Sequence, residues 1–355
     1  MSLKFITPLD GQMMTDYAGV REGDTLLIDV AVEAAPEKIV YINNQPAEYR
    51  DGAYHATVAL DGYRNTVEAT CESDSVKMGI YWIPEATKRF AVSVDDNIWW
   101  LQDLTLNNYA SIFDNPYLAV YKEAHDLYGI KLRLNIFYNT DRKGGFNLSM
   151  MTDRYKDEFL ANHDWLHLAF HSDFEFPDYP YSETTYAKLK YDYDSINREV
   201  KRFAGYELER CTTIHFGSGN RQAVRAIRAE GLRTLMGYME CQDGKSYVSY
   251  YLTPEEVAKV NEFGFWKDHG EDMIFGRIDC VMNLYDLDGI KARLDECLER
   301  FPKNGYVEIM IHEQYFYEDY SNYMPNYRDK VLTGVKWCVD HGYQPMFSVE
   351  ATAEW

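Results

Sequence analysis

The sequence predicts an α/β barrel of parallel strands preceded by an all-β sandwich. Two observations favour this class. Residues 1–85 contain short alternating or apolar runs broken by Gly and Asn, a pattern that is typical of a sandwich. Beyond that point, buried-strand patterns alternate with helical patterns, which favours parallel pairing. We therefore predict two domains, 1–85 and 86–355, joined by a linker at 84–88.

Each predicted element follows from its periodicity. The first domain is expected to contain strands at 26–32, 40–42, 52–60, 66–71 and 76–83. The second is expected to contain strands at 90–94, 131–137, 165–170, 212–216, 233–236, 275–281, 307–311 and 343–349. Helices are expected at 117–128, 186–203, 221–230, 287–300 and 328–341. Seven or eight strand–helix units fit a barrel. An open doubly wound sheet is the alternative, but no glycine-rich phosphate loop opens a helix.

Composition limits the classes of partner. The chain has 355 residues and a formal net charge of -21, and no basic cluster suggests nucleic-acid binding. No apolar run reaches the roughly 18 residues of a membrane span. Its six cysteines form no CxxC pair, which argues against a thiolate zinc site. Thirty Tyr and seven Trp slightly favour a carbohydrate partner, since aromatic rings stack on sugar faces. The oligomeric state is not predicted.

The N-terminus shows no signal-peptide core. The protein is expected to be cytoplasmic if this N-terminus is native. It is expected to be secreted or periplasmic if a signal peptide was removed ahead of the sequence Met1-Ser2-Leu3.

Ionisable residues follow several predicted strands. Asp95 and Asp96 end the apolar run 90–94, and His171 and His312 end two others. In a barrel, the C-terminal ends of the strands form the rim where chemistry is done. Adjacent carboxylates repel each other unless a cation or a proton separates them. This set therefore indicates a metal site in which one carboxylate binds the ion and the other acts as a base.

The spacing around His171 selects one histidine as a ligand. His167 and His171 lie on a predicted strand and are about 13 Å apart along it, too far to share one ion. His171, at the rim, is therefore the predicted ligand. Glu175 lies four residues further on and is the candidate third ligand if the loop makes a helical turn.

The remaining candidates concern proton donation and sugar binding. His312 can titrate near neutrality and donate a proton to a leaving amine or alcohol. Glu313, Tyr315 and Phe316 follow it and are expected to line the pocket. The predicted substrate-binding residues are Trp99, Trp100, His215, Phe216 and Tyr315.

Four stretches together resemble the polysaccharide deacetylase family (NodB homology, carbohydrate esterase family 4) over residues 88–350. Ser93-Val94-Asp95-Asp96-Asn97 is similar to its motif T-F-D-D-G, and His171-Ser172-Asp173-Phe174-Glu175-Phe176 to H-[ST]-x-x-H-P. Thr213-Ile214-His215-Phe216-Gly217 corresponds to R-x-P-[YF]-G, and Met310-Ile311-His312 to L-x-H. The first domain resembles the immunoglobulin-like modules attached to carbohydrate-active enzymes.

The resemblance implies a NodB-like (β/α)7 distorted barrel and a set of roles. Asp95 would be the general base, Asp96 and His171 would be metal ligands, and His312 would be the general acid. Glu175 replaces the family's second histidine. The arginine that holds the base carboxylate is absent, with Arg221 or His215 as candidate substitutes.

The predicted function is that of a metal-dependent hydrolase that removes N- or O-acetyl groups from a carbohydrate, by cleavage of non-peptide C–N or ester bonds. The cofactor would be a divalent ion, zinc or another first-row metal. Two alternatives stay open. One is a catalytically inactive carbohydrate-binding relative. The other is a barrel glycosidase that pairs Asp95 or Asp96 with Glu313 or Glu240, at a carboxyl separation of about 5 to 9.5 Å.

Overall fold

The computed structural model describes residues 3–354 as a mixed α/β protein. The N-terminal strands, in chain order, are β1 (Lys4–Thr7), β2 (Gln12–Met14), β3 (Val20–Glu22), β4 (Thr25–Glu33), β5 (Val40–Ile42), β6 (Gln45–Pro46), β7 (Glu48–Arg50), β8 (Ala53–Leu60), β9 (Arg64–Cys71) and β10 (Asp74–Trp82). Among the described residues, no helix is both long and apolar enough to span a bilayer.

The N-terminal strands form two layers around one apolar core. Strands β1, β3, β4, β7 and β8 make one antiparallel sheet, and β10, β9, β5 and β6 lie in the other. Side chains alternate along β9, so Val67, Ala69 and Cys71 are buried while the residues between them are more exposed. They share the core with Leu26, Ile28 and other residues of the facing sheet. The five strands predicted for this part are all present.

The second part alternates strands and helices. In chain order these are β11 (Arg89–Asn97), α1 (Trp99–Asn107), α2 (Pro116–Tyr128), β12 (Leu132–Phe137), α3 (Lys156–Ala161), β13 (Leu166–Ser172), α4 (Tyr186–Phe203), β14 (Cys211–Thr212), α5 (Arg221–Ala229), β15 (Thr234–Gly237), β16 (Glu240–Gln242), β17 (Lys245–Tyr247), α6 (Pro254–Phe263), β18 (Phe265–Asp268), β19 (Met273–Arg277), β20 (Cys280–Val281), α7 (Leu287–Arg300), β21 (Tyr306–His312), α8 (Tyr327–Asp340), β22 (Gln344–Pro345) and α9 (Ser348–Ala351).

The strands of this part pair mainly in parallel, as predicted. One sheet has the order β13-β12-β11-β21-β20, with β22 also paired to β11, and a second parallel run has the order β14-β15-β19. The register between β11 and β21 places Asp95 opposite His312. The C-terminal ends of these strands therefore bring the two residues to the same edge.

Strand β2 connects the two parts of the chain. It pairs in parallel with β10 and antiparallel with β18, so one nine-stranded sheet runs from β14 to β6. The backbone approaches closely here, because a Cβ added at Gly11 would lie 2.1 Å from the carbonyl oxygen of Lys267. Gly11 also has a φ of +85°, a conformation that favours glycine. The predicted boundary at residue 85 stays a prediction.

Helix ends follow local capping signals. Helices α4 and α7 confirm the predictions for 186–203 and 287–300 at both ends. The Thr185 side chain accepts a hydrogen bond from the amide of Lys188, and Asp286 accepts one from that of Gly289. These contacts satisfy amides that have no partner within the helix.

Three strand predictions were wrong in extent. The run 343–349 yields only β22 followed by α9, since a short apolar run does not distinguish a strand from a buried helix. The run 275–281 splits into β19 and β20, which belong to different sheets. The run 212–216 forms a strand only as far as Thr212. Residues 215–217 form a short helical turn instead, in which Phe216 has a φ of 60°.

A buried ion pair joins strands β12 and β21 of the parallel sheet. The guanidinium of Arg133 donates to the carboxylate of Glu308, and both side chains are almost fully buried. Ser93 donates to the same carboxylate at 3.0 Å and Ser348 at 2.6 Å, so helix α9 is tied to this cluster. Desolvated charges of this kind require partners on every side.

Substitution of Arg133 by methionine is expected to lower the free energy of unfolding by about 3–5 kcal/mol, because it leaves the Glu308 carboxylate buried without its charge partner. Chemical denaturation measures this loss. The control is Arg50→Met, because the ion pair of Arg50 with Asp29 is exposed. This variant is expected to lower the free energy of unfolding by under about 1 kcal/mol. Equal losses for both variants would contradict the assigned role of the buried pair.

Candidate metal centre

Strand β11 delivers two neighbouring carboxylates to one cavity. The strand is buried from Phe90 to Asn97. At Asp96 the backbone turns into the left-handed region with a φ of 65°, and the pairing with β12 shifts there. In a regular strand adjacent side chains point to opposite faces. The turn allows Asp95 and Asp96 to line the same cleft.

Three ligand-type atoms converge at this cleft. Asp96 Oδ1 lies 2.9 Å from His171 Nε2 and 3.2 Å from His215 Nδ1. The two imidazole nitrogens are 3.1 Å apart. All three side chains are buried, and among residues 3–354 they form the one group of three metal-ligating side chains with this geometry.

The outer nitrogens of both histidines are engaged by carbonyl oxygens. His171 Nδ1 lies 2.5 Å from the carbonyl of Thr213, and His215 Nε2 lies 3.0 Å from that of Glu175. Because a carbonyl can only accept, each of these nitrogens carries the proton. In the neutral tautomers, the nitrogens that face Asp96 therefore present lone pairs.

The convergence fits a divalent cation. Two lone pairs and a carboxylate oxygen repel one another unless a cation or added protons lie between them. Donors bound at about 2.0–2.2 Å to a tetrahedral zinc lie about 3.3 Å apart, close to the separations of the three atoms here. Imidazoles held by backbone carbonyls are typical of metal-binding histidines. Asp96, His171 and His215 are therefore the residues that could hold a metal.

Electrostatics favour a charged Asp96. Burial alone would raise the pKa of Asp96, but His312, His171 and His215 outweigh it and hold this pKa well below the usual range. Burial opposes protonation of His171, but Asp95 and Asp96 outweigh it and raise the pKa of His171. The site without metal thus attracts positive charge, which a divalent ion can supply in place of protons.

Glu175 takes a different place from the one predicted. Its backbone carbonyl, rather than its carboxylate, contacts His215, and its carboxylate accepts a hydrogen bond from Gln314 at 3.1 Å. Burial, together with the charge of Asp96, raises the pKa of Glu175 to about 8. The structure places His215, assigned from sequence to the substrate, beside Asp96 and His171, and Glu175 further out on the cleft wall.

Asp95 is held by a neutral side chain. The amide of Asn135 on β12 donates to Asp95 Oδ1 at 2.5 Å. Arg221, a candidate substitute for the family arginine, instead lies 3.3 Å from both Asp268 and Glu271. Asp95 therefore keeps a hydrogen-bond donor without a directly bonded positive charge.

His312 is oriented by a second amide. Its Nδ1 lies 2.8 Å from Asn283 Oδ1, and its Nε2 lies 4.0 Å from Asp96 Oδ2. The amide oxygen accepts from Nδ1–H, so Nε2 faces the cleft. This side chain is 27% exposed, which leaves it accessible to a bound molecule.

The cleft has room for a sugar-sized ligand. Its volume is about 330 Å³. The candidates Asp95, Asp96, His171, Glu175, His215, Phe216, His312 and Tyr315 all line it. Phe137 packs against both candidate metal-binding histidines, with ring centroids 5.0 Å from His171 and from His215.

Two predicted stacking residues lie outside the cleft lining. Trp100 is fully buried and packs against Phe159, and Trp99 packs against Tyr317 and donates to Asp141 at 3.0 Å. Both begin helix α1. Their side chains contribute to the core, so the structure does not bring them to the predicted sugar site.

Glu313 caps helix α1. Its carboxylate accepts the amides of Ile98, Trp99 and Trp100 at 2.6, 3.0 and 2.6 Å. Burial raises the pKa of Glu313 to about 7, although these three amides oppose the shift. Because the carboxylate is fully enclosed and occupied by the helix end, it is not available as the acid of a glycosidase.

The other candidates also lie apart from the cleft. His167 contacts Glu209 and stacks on Phe347, at a centroid distance of 3.9 Å. Glu240 is exposed on the hairpin β16–β17. Phe316 packs against Tyr117. None of the three lines the cleft described above.

Sequence reasoning missed three supporting residues: Asn135, Asn283 and Phe137. Asn135 and Phe137 are two residues apart in the predicted strand 131–137, so their side chains lie on the same face. The rule that polar residues inside a buried strand need partners would have selected Asn135. Nothing local marks Asn283, which lies in a short helical turn after β20.

Comparisons with family models and with curated proteins each gave no match. Among solved structures, the chain is similar to a carbohydrate esterase family 4 pseudoenzyme from Bacillus anthracis at 10% identity and a TM-score of 0.38, covering 76% of this chain and 66% of that one. It is similar to the Xyl-CE4 domain of a multidomain xylanase from the hindgut metagenome of Trinervitermes trinervoides, at 10% identity and a TM-score of 0.38. That match covers 75% of this chain and 89% of the other. It is also similar to a family 4 acetyl xylan esterase from Clostridium thermocellum in complex with a cobalt ion, at 9% identity and a TM-score of 0.39. That match covers 74% of this chain and 89% of the other. Because these TM-scores are low, the function proposed below rests on this chain's own residues.

Proposed function

We propose that this protein is a metal-dependent hydrolase that removes N- or O-acetyl groups from a carbohydrate. The observation that carries the proposal is the convergence of Asp96, His171 and His215 beside Asp95 and His312. The first three residues would hold a divalent ion, zinc or another first-row metal. Such an ion supplies Lewis-acid activation of a water molecule.

The chain's own residues would move the protons. Asp95, held by Asn135, accepts the proton of the attacking water as general base. In its imidazolium form, His312 donates Nδ1–H to Asn283 and presents Nε2–H to the cleft. From there it protonates the departing amine or alkoxide. The two groups therefore act as base and acid on opposite reacting atoms.

The proposal extends to the fold. In the proposed NodB-like (β/α)7 barrel, the strands around the cleft would follow the order β11, β12, β13, β14, β15, β19–β20 and β21. The parallel runs β13-β12-β11-β21-β20 and β14-β15-β19 support this order. The hydroxyl of Thr212 on β14 donates to the carbonyl of Phe170 on β13, which links the two parallel sheets on one side. On the other side, the chain passes from β19 directly into β20. The N-terminal sheets are proposed to form an immunoglobulin-like sandwich.

The proposal is tested on protein purified without added metal. Elemental analysis is expected to find about one divalent ion per chain. Acetate release from acetylated chitooligosaccharide or acetyl-xylan is expected to stop with a chelator and to return with zinc. Since protonated histidine cannot bind metal, metal affinity is expected to fall as the pH drops through the raised pKa of His171.

Two outcomes would favour the alternatives. Metal binding without any acetate release would indicate a non-catalytic carbohydrate-binding relative. The neutral amide of Asn135, which contacts Asp95 where the family would have an arginine, is the feature that favours this alternative. Chelator-insensitive release of a reducing sugar would indicate a glycosidase.

A further inference from the structure

A basic cavity lies apart from the metal cleft, among residues of hairpin β16–β17, helix α6 and helix α7. Its volume is about 490 Å³. Of the described residues that line it, Tyr238 alone also lines the metal cleft. We call it the arginine cavity and define it by Tyr238, Arg277, Arg293, Arg300, Phe301 and Lys303.

The arginine cavity is basic in an acidic protein. Four of its lining side chains are Arg or Lys, and two, Glu240 and Glu262, are acidic. The whole chain has the opposite balance, with 36 Lys and Arg against 57 Asp and Glu. A small anion is therefore attracted to this cavity and repelled by much of the remaining surface.

Two of the four cations are paired within the protein. Arg277 is almost fully buried and donates to Asp279 Oδ1 from Nε at 3.0 Å and from Nη2 at 2.5 Å. Lys303 Nζ lies 2.8 Å from Glu262 Oε1. These two pairs form part of the wall and leave little charge for a ligand.

The two arginines of helix α7 keep unused donors. Arg300 is exposed, and its guanidinium makes no ion pair or hydrogen bond with any of residues 3–354. Arg293 donates from Nε to the carbonyl of Asp279 at 3.1 Å and from Nη1 to Glu296 at 3.0 Å, so its Nη2 has no partner in the same range. Since the side chain of Glu296 is 55% exposed, that ion pair is weak.

Aromatic rings hold these guanidinium groups in place. Arg300 Cζ lies 5.2 Å from the ring centroid of Phe301, and Arg293 Cζ lies 5.5 Å from that of Tyr238. The second guanidinium on the ring of Phe301 is that of Arg277, at 4.0 Å. A guanidinium stacked on a ring keeps its N–H donors at its edge, where carboxylates and phosphates bind.

The spacing of the two arginines indicates the kind of ligand. Arg293 and Arg300 are seven residues apart in α7, so they lie two turns apart on one side of the helix and about 10 Å apart along its axis. Each arginine can bind one carboxylate or phosphate through two N–H donors. The pair therefore matches a ligand that has two such groups.

We infer that the arginine cavity binds a small molecule that carries at least two oxyanion groups, either carboxylates or phosphates. Arg300 binds one group and Arg293 binds another. The inference goes beyond the proposed function and does not depend on it, because neither the metal nor acetate release enters the argument.

Calorimetric titration with tripolyphosphate and with tricarballylate, at constant ionic strength, tests the inference. At least one is expected to bind, and which one binds distinguishes phosphate from carboxylate ligands. Arg300→Gln is expected to weaken that binding about tenfold, since it removes a charged hydrogen-bond donor. Its melting temperature is expected to stay unchanged, because this guanidinium has no partner among residues 3–354.

The matched control is Arg198→Gln, which removes the same charge from helix α4, where the side chain is 65% exposed. This variant is expected to bind the probe as the wild type does. Failure of both probes to bind, or equal weakening in the two variants, would overturn the inference. Binding that Arg300→Gln leaves unchanged, as expected for a probe held at the metal centre, would also overturn it.

Cys241 locates the bound probe. It lines the arginine cavity, and it alone is exposed among the six cysteines, which all lie in the described part of the chain. At a probe concentration of about ten times its Kd, alkylation of Cys241 by iodoacetamide is expected to slow about tenfold. The same concentration is expected to protect Cys241 much less in Arg300→Gln. Unchanged alkylation of the wild type under these conditions would place the probe elsewhere and reject the site.

Discussion

Substitution of His215 by alanine is expected to weaken divalent metal binding at least about 100-fold. Loss of a residue that only supports a ligand already costs about 10–100-fold, and His215 Nδ1 lies among the three converging donors. Metal affinity is measured by competition with a chromophoric chelator. Circular dichroism checks that the variant keeps its fold.

Glu175→Gln is the matched control. The sequence resemblance made this residue a candidate ligand, but its carboxylate contacts Gln314 instead of the three converging donor atoms. The variant keeps the backbone carbonyl that holds His215, so its metal affinity is expected to stay within a few fold of the wild type. Retained affinity in His215→Ala combined with lost affinity in Glu175→Gln would reverse the assignment.

Asp95→Asn is expected to lower kcat for acetate release by about 10²–10⁴-fold, the usual contribution of a general base. The metal content is expected to stay unchanged, because Asp95 lies outside the group of three converging donors. Asp126→Asn, at an exposed carboxylate of α2 whose side chain is 57% accessible, is the control. Near-normal kcat in Asp95→Asn would remove Asp95 from the reaction, and loss of metal would make it a ligand.

The predictable part of the fold was its strand–helix rhythm. Helices α4 and α7 were predicted at both ends because each combines a strong periodicity with a local cap. Helix α1 was missed since its cap, Glu313, lies more than two hundred residues away in sequence. No local sequence pattern predicts a cap from so distant a residue.

The C-terminal segment shows the limits of a short apolar run. Residues 343–349 have the composition of a strand, but Ser348 makes hydrogen bonds to Arg133 and Glu308 in the interior. Those contacts hold the start of helix α9 in the interior, beside strands β12 and β21. Tertiary contacts of this kind decide between strand and helix where the sequence allows both.

The site was partly predictable because several of its residues lie at the ends of strands that the sequence predicts. Reasoning from strand ends selected Asp95, Asp96, His171 and His312, and in the structure these side chains line one cleft. The place of His215 beside Asp96 depends on the turn at Phe216, which a strand prediction for 212–216 conceals. The contact between Asn135 and Asp95 depends on the pairing of β12 with β11, which sequence alone does not specify.

The most direct measurement is an anomalous difference map from crystals of the protein loaded with zinc, collected on both sides of the zinc absorption edge. The account predicts a single strong peak between Asp96 Oδ1, His171 Nε2 and His215 Nδ1, and no peak there in crystals of Asp96→Ala. A map without a peak at this position, or with the ion bound to Glu175 instead of His215, would contradict it.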